Sequence, residues 1–301
     1  MQAAPASAVR APRLQPWLFC APLIAGVGLV FLYPLVALFR YSFEQVGSAY
    51  IPSKFVGLDN YRFVYSDSLF WQAIVNNATL LLCVPVLIVL ATIVAALLFD
   101  RVKGWRAYRT LVFLPYVLSI PVVGIVFGYL FQLNGLTNSF LRTVGLGSLA
   151  QDWLGTSSWA LPTIMATIVW KELGFGVIAF LARLMSVPED IFEAARIDGA
   201  GWWKTLRYVT VPQLAPAIVF YAVVETITML SWVFAYVYVM TAGGPGNATV
   251  VSEYYIFQQT FQNTVIGIGA AAAVTLLGFV SVLIAARLWL TRRFEGLGLE
   301  G

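Results

Sequence analysis

The sequence predicts an all-α, polytopic membrane protein with six transmembrane helices and one further helix outside the bilayer. Three observations predict it. The composition is too apolar for a water-facing surface. Six apolar segments are each long enough to cross a bilayer. Basic residues collect in alternate loops.

Of the 301 residues 60% are hydrophobic and 11% are charged, against about 25% charged in soluble domains. There is no histidine, which excludes imidazole-based acid–base chemistry and metal ligation. Cys20 and Cys83 both lie in apolar stretches and read as small core residues rather than a disulfide or a metal pair. The formal charge of +4 comes with no basic run interleaved with aromatics, so nucleic acid is not an expected partner. Membrane lipid is.

The first apolar segment begins at Trp17, after Arg10 and Arg13, and is closed by Arg40. It is longer than the core of a signal peptide and lacks a clean cleavage site, so it reads as a retained helix. The spans are expected at residues 17–39, 73–99, 111–131, 159–181, 214–240 and 266–290. As helices they satisfy their own backbone polar groups in hydrocarbon. One set of loops carries Arg10, Arg13, Arg101, Lys103, Arg106, Arg109, Arg183, Arg196, Lys204, Arg207, Arg287, Arg292 and Arg293; the other carries Arg40, Lys54, Arg62 and Arg142. The heavily basic side is expected to be the cytoplasm, which places both termini inside. Residues 1–301 read as one transmembrane domain, with no linker and no convincing internal repeat. The outer loop at 241–249, TAGGPGNAT, reads as a tight Gly/Pro turn.

The segment at 186–213 is the most informative. Ser186 is a candidate N-cap, Pro188 suits a first helical position, and Glu189 and Asp190 suit the positive end of the helix dipole. Gly199 and Gly201 stand where a left-handed residue would end that helix. A second helical piece is expected at 202–209, with Pro212 and Pro216 restarting the chain into the fifth span. The first helix offers Glu189, Asp190, Glu193 and Asp198 against Arg196, a poor match for an anionic leaflet, so it is expected to dock on a protein.

Glu193-Ala194-Ala195, Asp198-Gly199-Ala200, Leu206 and Val211-Pro212 resemble the EAA loop of binding-protein-dependent ABC importer permeases. That family's pattern ends in an aliphatic residue, any residue, then Leu-Pro; here valine precedes the proline. Residues 55–80 and 241–249 are similar to carbohydrate permeases, and specifically to the first permease of maltose-type two-permease systems. The resemblance implies a type I importer fold and a coupling helix that enters a cleft on an ATPase subunit. Glu193 would pair with a basic group there, Ala194 and Ala195 would permit close approach, and Gly199, after Asp198, would make the turn. It also implies two ATPase subunits, a second homologous permease, an extracytoplasmic solute-binding protein, and a bacterial or archaeal cytoplasmic membrane. No G-x-x-x-x-G-K-[ST] loop occurs, so ATP and magnesium are expected on the partner ATPase, with no cofactor on this chain. The expected mechanism is alternating access, without bond-making in this subunit.

Charged residues inside spans mark candidate functional positions. Here they are Lys171, Glu172 and Glu225. The resemblance places Lys171, Glu172 and Phe175 at cavity positions of the fourth span, and Thr226, Met229, Leu230 and Val233 at those of the fifth. Glu172, with the aromatic faces of Phe175 or Trp232, would suit the hydroxyl edges and C–H faces of a sugar. The competing readings have Lys171 snorkelling to water, Glu225 pairing with the second permease, and Trp232, Phe234, Tyr236 and Tyr238 packing or lying at the membrane interface. Glycerol phosphates, polyamines or amino acids are alternative cargoes. An ion-coupled carrier is an alternative mechanism, for which the repeat signature is missing. An intramembrane hydrolase is disfavoured by the lack of histidine and of a G-x-S-x-G elbow.

Overall fold

The computed structural model describes residues 15–47, 52–100 and 103–295. Arg10, Arg13 and Arg101 of the predicted basic loops lie outside these residues, as do the side chains of Arg287, Arg292 and Arg293. The fold is helical, with a single short hairpin, β1 (Glu44–Gln45) against β2 (Lys54–Phe55), among the described residues.

Helices α1 (Gln15–Val27) and α2 (Tyr33–Ser42) run together through a π-helical turn at Gly28–Leu32. Pro34 follows that turn by two residues. A proline removes one helical donor and crowds the carbonyl four residues back. The wider turn makes room, with the Tyr33 amide reaching Gly28 O instead. After α3 (Asp59–Ser66) come α4 (Ser68–Leu80) and α5 (Cys83–Phe99), one long rod with an irregular step at 81–82 ahead of Pro85. Asp67 caps α4 by accepting from the Leu69 amide, and its other oxygen accepts from Tyr255 Oη at 2.7 Å.

The third predicted span is not one straight helix. It consists of α6 (Trp105–Val117) and α7 (Ile120–Leu130), bent by 100°. Leu118 and Ser119 are extended, and Pro121 admits no continuation of the α6 ladder across them. After α8 (Leu136–Thr143), α9 (Ser157–Leu184) is the central element and packs against α5, α6 and α12. Small residues allow this. A Cβ on Gly174 would stand 2.6 Å from the Val112 carbonyl oxygen, and one on Gly176 2.6 Å from the Tyr221 ring.

α10 (Glu189–Ile197) and α11 (Trp202–Thr205) form the connection to α12 (Val211–Ser231). Pro212 and Pro216 do not restart the chain as expected. A second π turn, Leu206–Thr210, again two residues before a proline, makes Trp202–Ser231 one helix of 30 residues. It breaks at Trp232 before α13 (Phe234–Met240). The 241–249 turn is tight as expected. Gly243 and Gly246 have positive φ, and Thr241 and Thr249 hydroxyls meet at 2.7 Å. α14 (Ser252–Phe257) and α15 (Ile266–Glu295) complete the chain, with α2 lying along α15.

Four helices are long and apolar enough to cross a membrane among the described residues: Phe19–Ser42, Ser68–Phe99, Ser157–Leu184 and Trp202–Ser231. The bent α6–α7 pair makes a fifth if it is one span. Ile266–Val282 is the apolar start of α15, a helix of 30 residues. Cys83 is buried, but Cys20 is exposed on α1 and is not the core residue the sequence suggested.

Candidate functional site

Two features hold the residues singled out by the sequence. One is a charge cluster where α9 meets α6, α12 and α13. The other is the helix α10.

Lys171 and Glu172 are 5% and 6% exposed, so Lys171 does not snorkel to water. Its Nζ is 3.2 Å from Glu172 Oε1, donates to the Tyr116 carbonyl at 3.3 Å, and lies 5.1 Å from the centre of the Tyr116 ring. Tyr116 is in the last turn of α6, whose carbonyls lose their helical partners at the 118–119 break. Lys171 therefore caps the broken span from the neighbouring helix, with its positive charge at the negative end of the α6 dipole. Glu172 Oε1 also accepts from Tyr236 Oη at 3.2 Å, and the Glu172 backbone carbonyl accepts from Tyr221 Oη at 3.2 Å. Glu225 is 1% exposed and feels both charges of the pair; its Oε2 has no hydrogen-bond partner among the described residues.

Of the remaining pathway candidates, Phe175 is half-buried and stacks on Tyr116 at 5.3 Å between ring centres. Thr226 is half-buried and its hydroxyl donates to the Ala222 carbonyl at 2.6 Å. Met229, Leu230 and Val233 are buried around the break in the fifth span, while Trp232 is 64% exposed. The structure thus brings Lys171, Glu172, Glu225 and Phe175 together and leaves Trp232 apart. The sequence offered Tyr236 only as a packing or membrane-interface residue and did not single out Tyr116 or Tyr221. Tyr236 acts through its hydroxyl on the Glu172 carboxylate, Tyr221 through its hydroxyl on the Glu172 carbonyl, and Tyr116 through its own carbonyl and ring, contacts that depend on which spans adjoin.

α10 is built to present one face. Phe192 is buried against Phe99, 5.0 Å between ring centres, and Ala195 is buried beside it. Glu193, Ala194, Asp198 and Gly199 are exposed, and Ile197 is 85% exposed. Ser186 does not cap the helix; its hydroxyl donates back to the Arg183 carbonyl, and Pro188 occupies the cap position instead of the first helical one. The helix ends as expected at Gly199, whose φ is +69°. The Gly199 amide reaches Arg196 O and the Ala200 amide reaches Ala195 O, the two bonds of a Schellman motif. Gly201 has negative φ and opens α11 instead. Trp202 Nε1 donates to Asp100 at 3.0 Å, and Arg183 Nε donates to the Gln213 carbonyl at 3.0 Å, fixing both sides of the loop to the ends of the long helices.

Residues 72–295 match the family described as binding-protein-dependent transport system inner membrane component. The chain belongs to this family. It is therefore an inner membrane component of a binding-protein-dependent transport system, and a transport subunit rather than an enzyme. Among its relatives is the lactose transport system permease protein LacF of Rhizobium radiobacter, 34% identical over 82% of this chain and 83% of that one. The arabinooligosaccharides transport system permease protein AraP of Halalkalibacterium halodurans is 32% identical over 94% of this chain and 89% of its own length. The structure resembles a chain of a bacterial ABC transporter that imports the acidic polysaccharide alginate. The TM-score is 0.79 at 25% identity, covering 92% of this chain and 96% of that chain.

Proposed function

We propose that this permease carries a sugar or oligosaccharide across the cytoplasmic membrane, driven through α10 by a separate ATPase subunit. The observation that carries the coupling role is the outward face of α10. Glu193, Ala194, Asp198 and Gly199 project from a helix anchored by Phe192, so that a push on α10 is delivered to the end of α5 and to the start of α12. A carbohydrate cargo is supported by the relatives, which are permeases of lactose and arabinooligosaccharide systems over most of their lengths. In this reading ATP and magnesium are held by two ATPase subunits, a second homologous permease completes the pathway, and a solute-binding protein delivers cargo from outside. The spans number six, counting the bent α6–α7 pair and α15, with both termini in the cytoplasm.

The substrate pathway is assigned to the faces of α9 and α12. Phe175 and Thr226 stand nearest its surface, and Lys171, Glu172, Glu225, Met229, Leu230 and Val233 lie behind them. Lys171 is already paired with Glu172, which disfavours a phosphate ester as cargo, since that anion would want the ammonium free. Two experiments test the reading. Purification of the tagged chain in mild detergent, followed by mass spectrometry, is expected to recover an ABC ATPase and a second permease, with the ATPase lost on Glu193→Arg. Recovery of the chain alone in active form would refute it. Glu172→Gln is expected to lower sugar uptake, and unchanged uptake would remove Glu172 from the pathway.

A further inference from the structure

The fifth span breaks between Ser231 and Phe234, and the polar groups freed there are met from elsewhere in the fold. Trp232 still bonds back to Thr228, but Val233 does not complete the next rung to the Met229 carbonyl. That carbonyl accepts from Asn77 Nδ2 at 3.2 Å instead. The freed Val233 amide is turned toward the carboxylate of Glu253, which it helps to hold. Asn77 joins the two sides. Its Nδ2 also faces Glu253 Oε2 at 3.4 Å, and its Oδ1 accepts from the Ser252 amide at 2.7 Å. Its neighbour Asn76 donates to the carbonyls of Ala248 and Val250 at 3.0 and 2.8 Å. Both asparagines are buried in the long rod α4–α5.

We propose that Asn77 and Glu253 are positioning residues for transport, a clasp that holds the two halves of the fifth span at their break and sets α13 relative to α12. Two facts separate this from a plain structural staple. Both polar atoms of the Asn77 side chain are engaged at the break or at α14, so one side chain ties α4 to both segments. In addition, Ser252 Oγ is buried without a partner among the described residues. Unsatisfied buried groups are costly and call for an explanation. A clasp that re-forms with different partners when the outer half of the span moves supplies one. The inference rests on membership of the importer family and not on the pathway assignments, so it stands or falls separately from Glu172.

The test uses the full transporter in liposomes with its binding protein and ATP. Spin labels replace the exposed Phe220 on α12 and Tyr238 on α13, about 27 Å apart if the helix were straight, at 1.5 Å rise per residue. Asn77→Asp removes the donor to Met229 and sets two carboxylates face to face. It is expected to shift or broaden the label distance and to cut uptake by about tenfold, with the ATPase still bound. Adding Glu253→Gln supplies a donor to the introduced carboxylate and is expected to restore uptake and the distance in part. Wild-type uptake in N77D, lost uptake with an unchanged distance, or no recovery in the double variant would overturn the proposal. Should N77D fail to assemble, Glu253→Ala decides. It leaves the Met229 bond in place, and loss of uptake with a changed distance supports the clasp, whereas wild-type uptake refutes it.

Discussion

Lys171 and Glu172 are neighbours in sequence on a buried helix, an arrangement that costs desolvation for two charges at once. The cost is offset by geometry rather than by the ion pair alone. The ammonium satisfies a carbonyl orphaned by the bend of the third span, and the carboxylate takes the Tyr236 hydroxyl. Lys171→Met would therefore leave Glu172 with only the Tyr236 hydroxyl and no counter-charge, and the Tyr116 carbonyl at the end of α6 without its donor. It is expected to cost about 3–5 kcal/mol, read as a lower melting temperature of the purified transporter, with Glu172→Gln in the same chain recovering part of it. The presence of these charges was legible in the sequence, because charges are rare in apolar segments. Their roles were not, because the partner of Lys171 is a backbone group exposed by a bend elsewhere. Asn76 and Asn77 gave a similar signal, two amides within an apolar span, and the reading of charges alone passed them by.

At the scale of elements, glycines and prolines decide where helices touch and where they yield. Gly174→Val would drive side-chain atoms into the backbone of α6 at Val112 and Phe113. It is expected to cost about 1–3 kcal/mol, as overpacking does, checked by thermal unfolding in detergent. Gly199→Val acts differently, since nothing crowds that site and only the positive φ resists a side chain. About 1–2 kcal/mol falls on the end of α10, so the expected result is a folded chain with uptake and stimulated ATPase activity reduced together. The left-handed turn at Gly199 was legible because a helix stop is local chemistry. The bend at 118–119 was not, although Pro115, Ser119 and Pro121 are plain in the sequence, because membrane helices tolerate proline when neighbours satisfy the freed groups. The π turns before Pro34 and Pro212 escaped for the same reason. They preserve a helix that the prolines alone would end.

For the whole molecule, the all-helical class followed from composition and segment length, and the family from the sequence of 186–213 with its flanking spans. What joins these levels is a path of contacts. The exposed face of α10 is tied by Phe192 and Trp202 to α5 and Asp100, and α5 packs on α9, which carries the buried charges. Movement imposed at α10 thus has a packed route to the candidate pathway. Packing of this kind depends on contacts between residues about a hundred positions apart, which loop charges and apolar periodicity do not encode. The central claim is that α10 is the surface that meets the ATPase, and site-specific crosslinking tests it most directly. In a chain with Cys20 and Cys83 replaced by serine, cysteine is placed at Ile197 or Asp198 on α10, and at Leu146 in the 132–158 loop at the other end of α9. The account predicts that Ile197→Cys and Asp198→Cys crosslink to the ATP-binding subunit while Leu146→Cys does not. Crosslinking from Leu146, or none from α10 in an actively transporting complex, would contradict it.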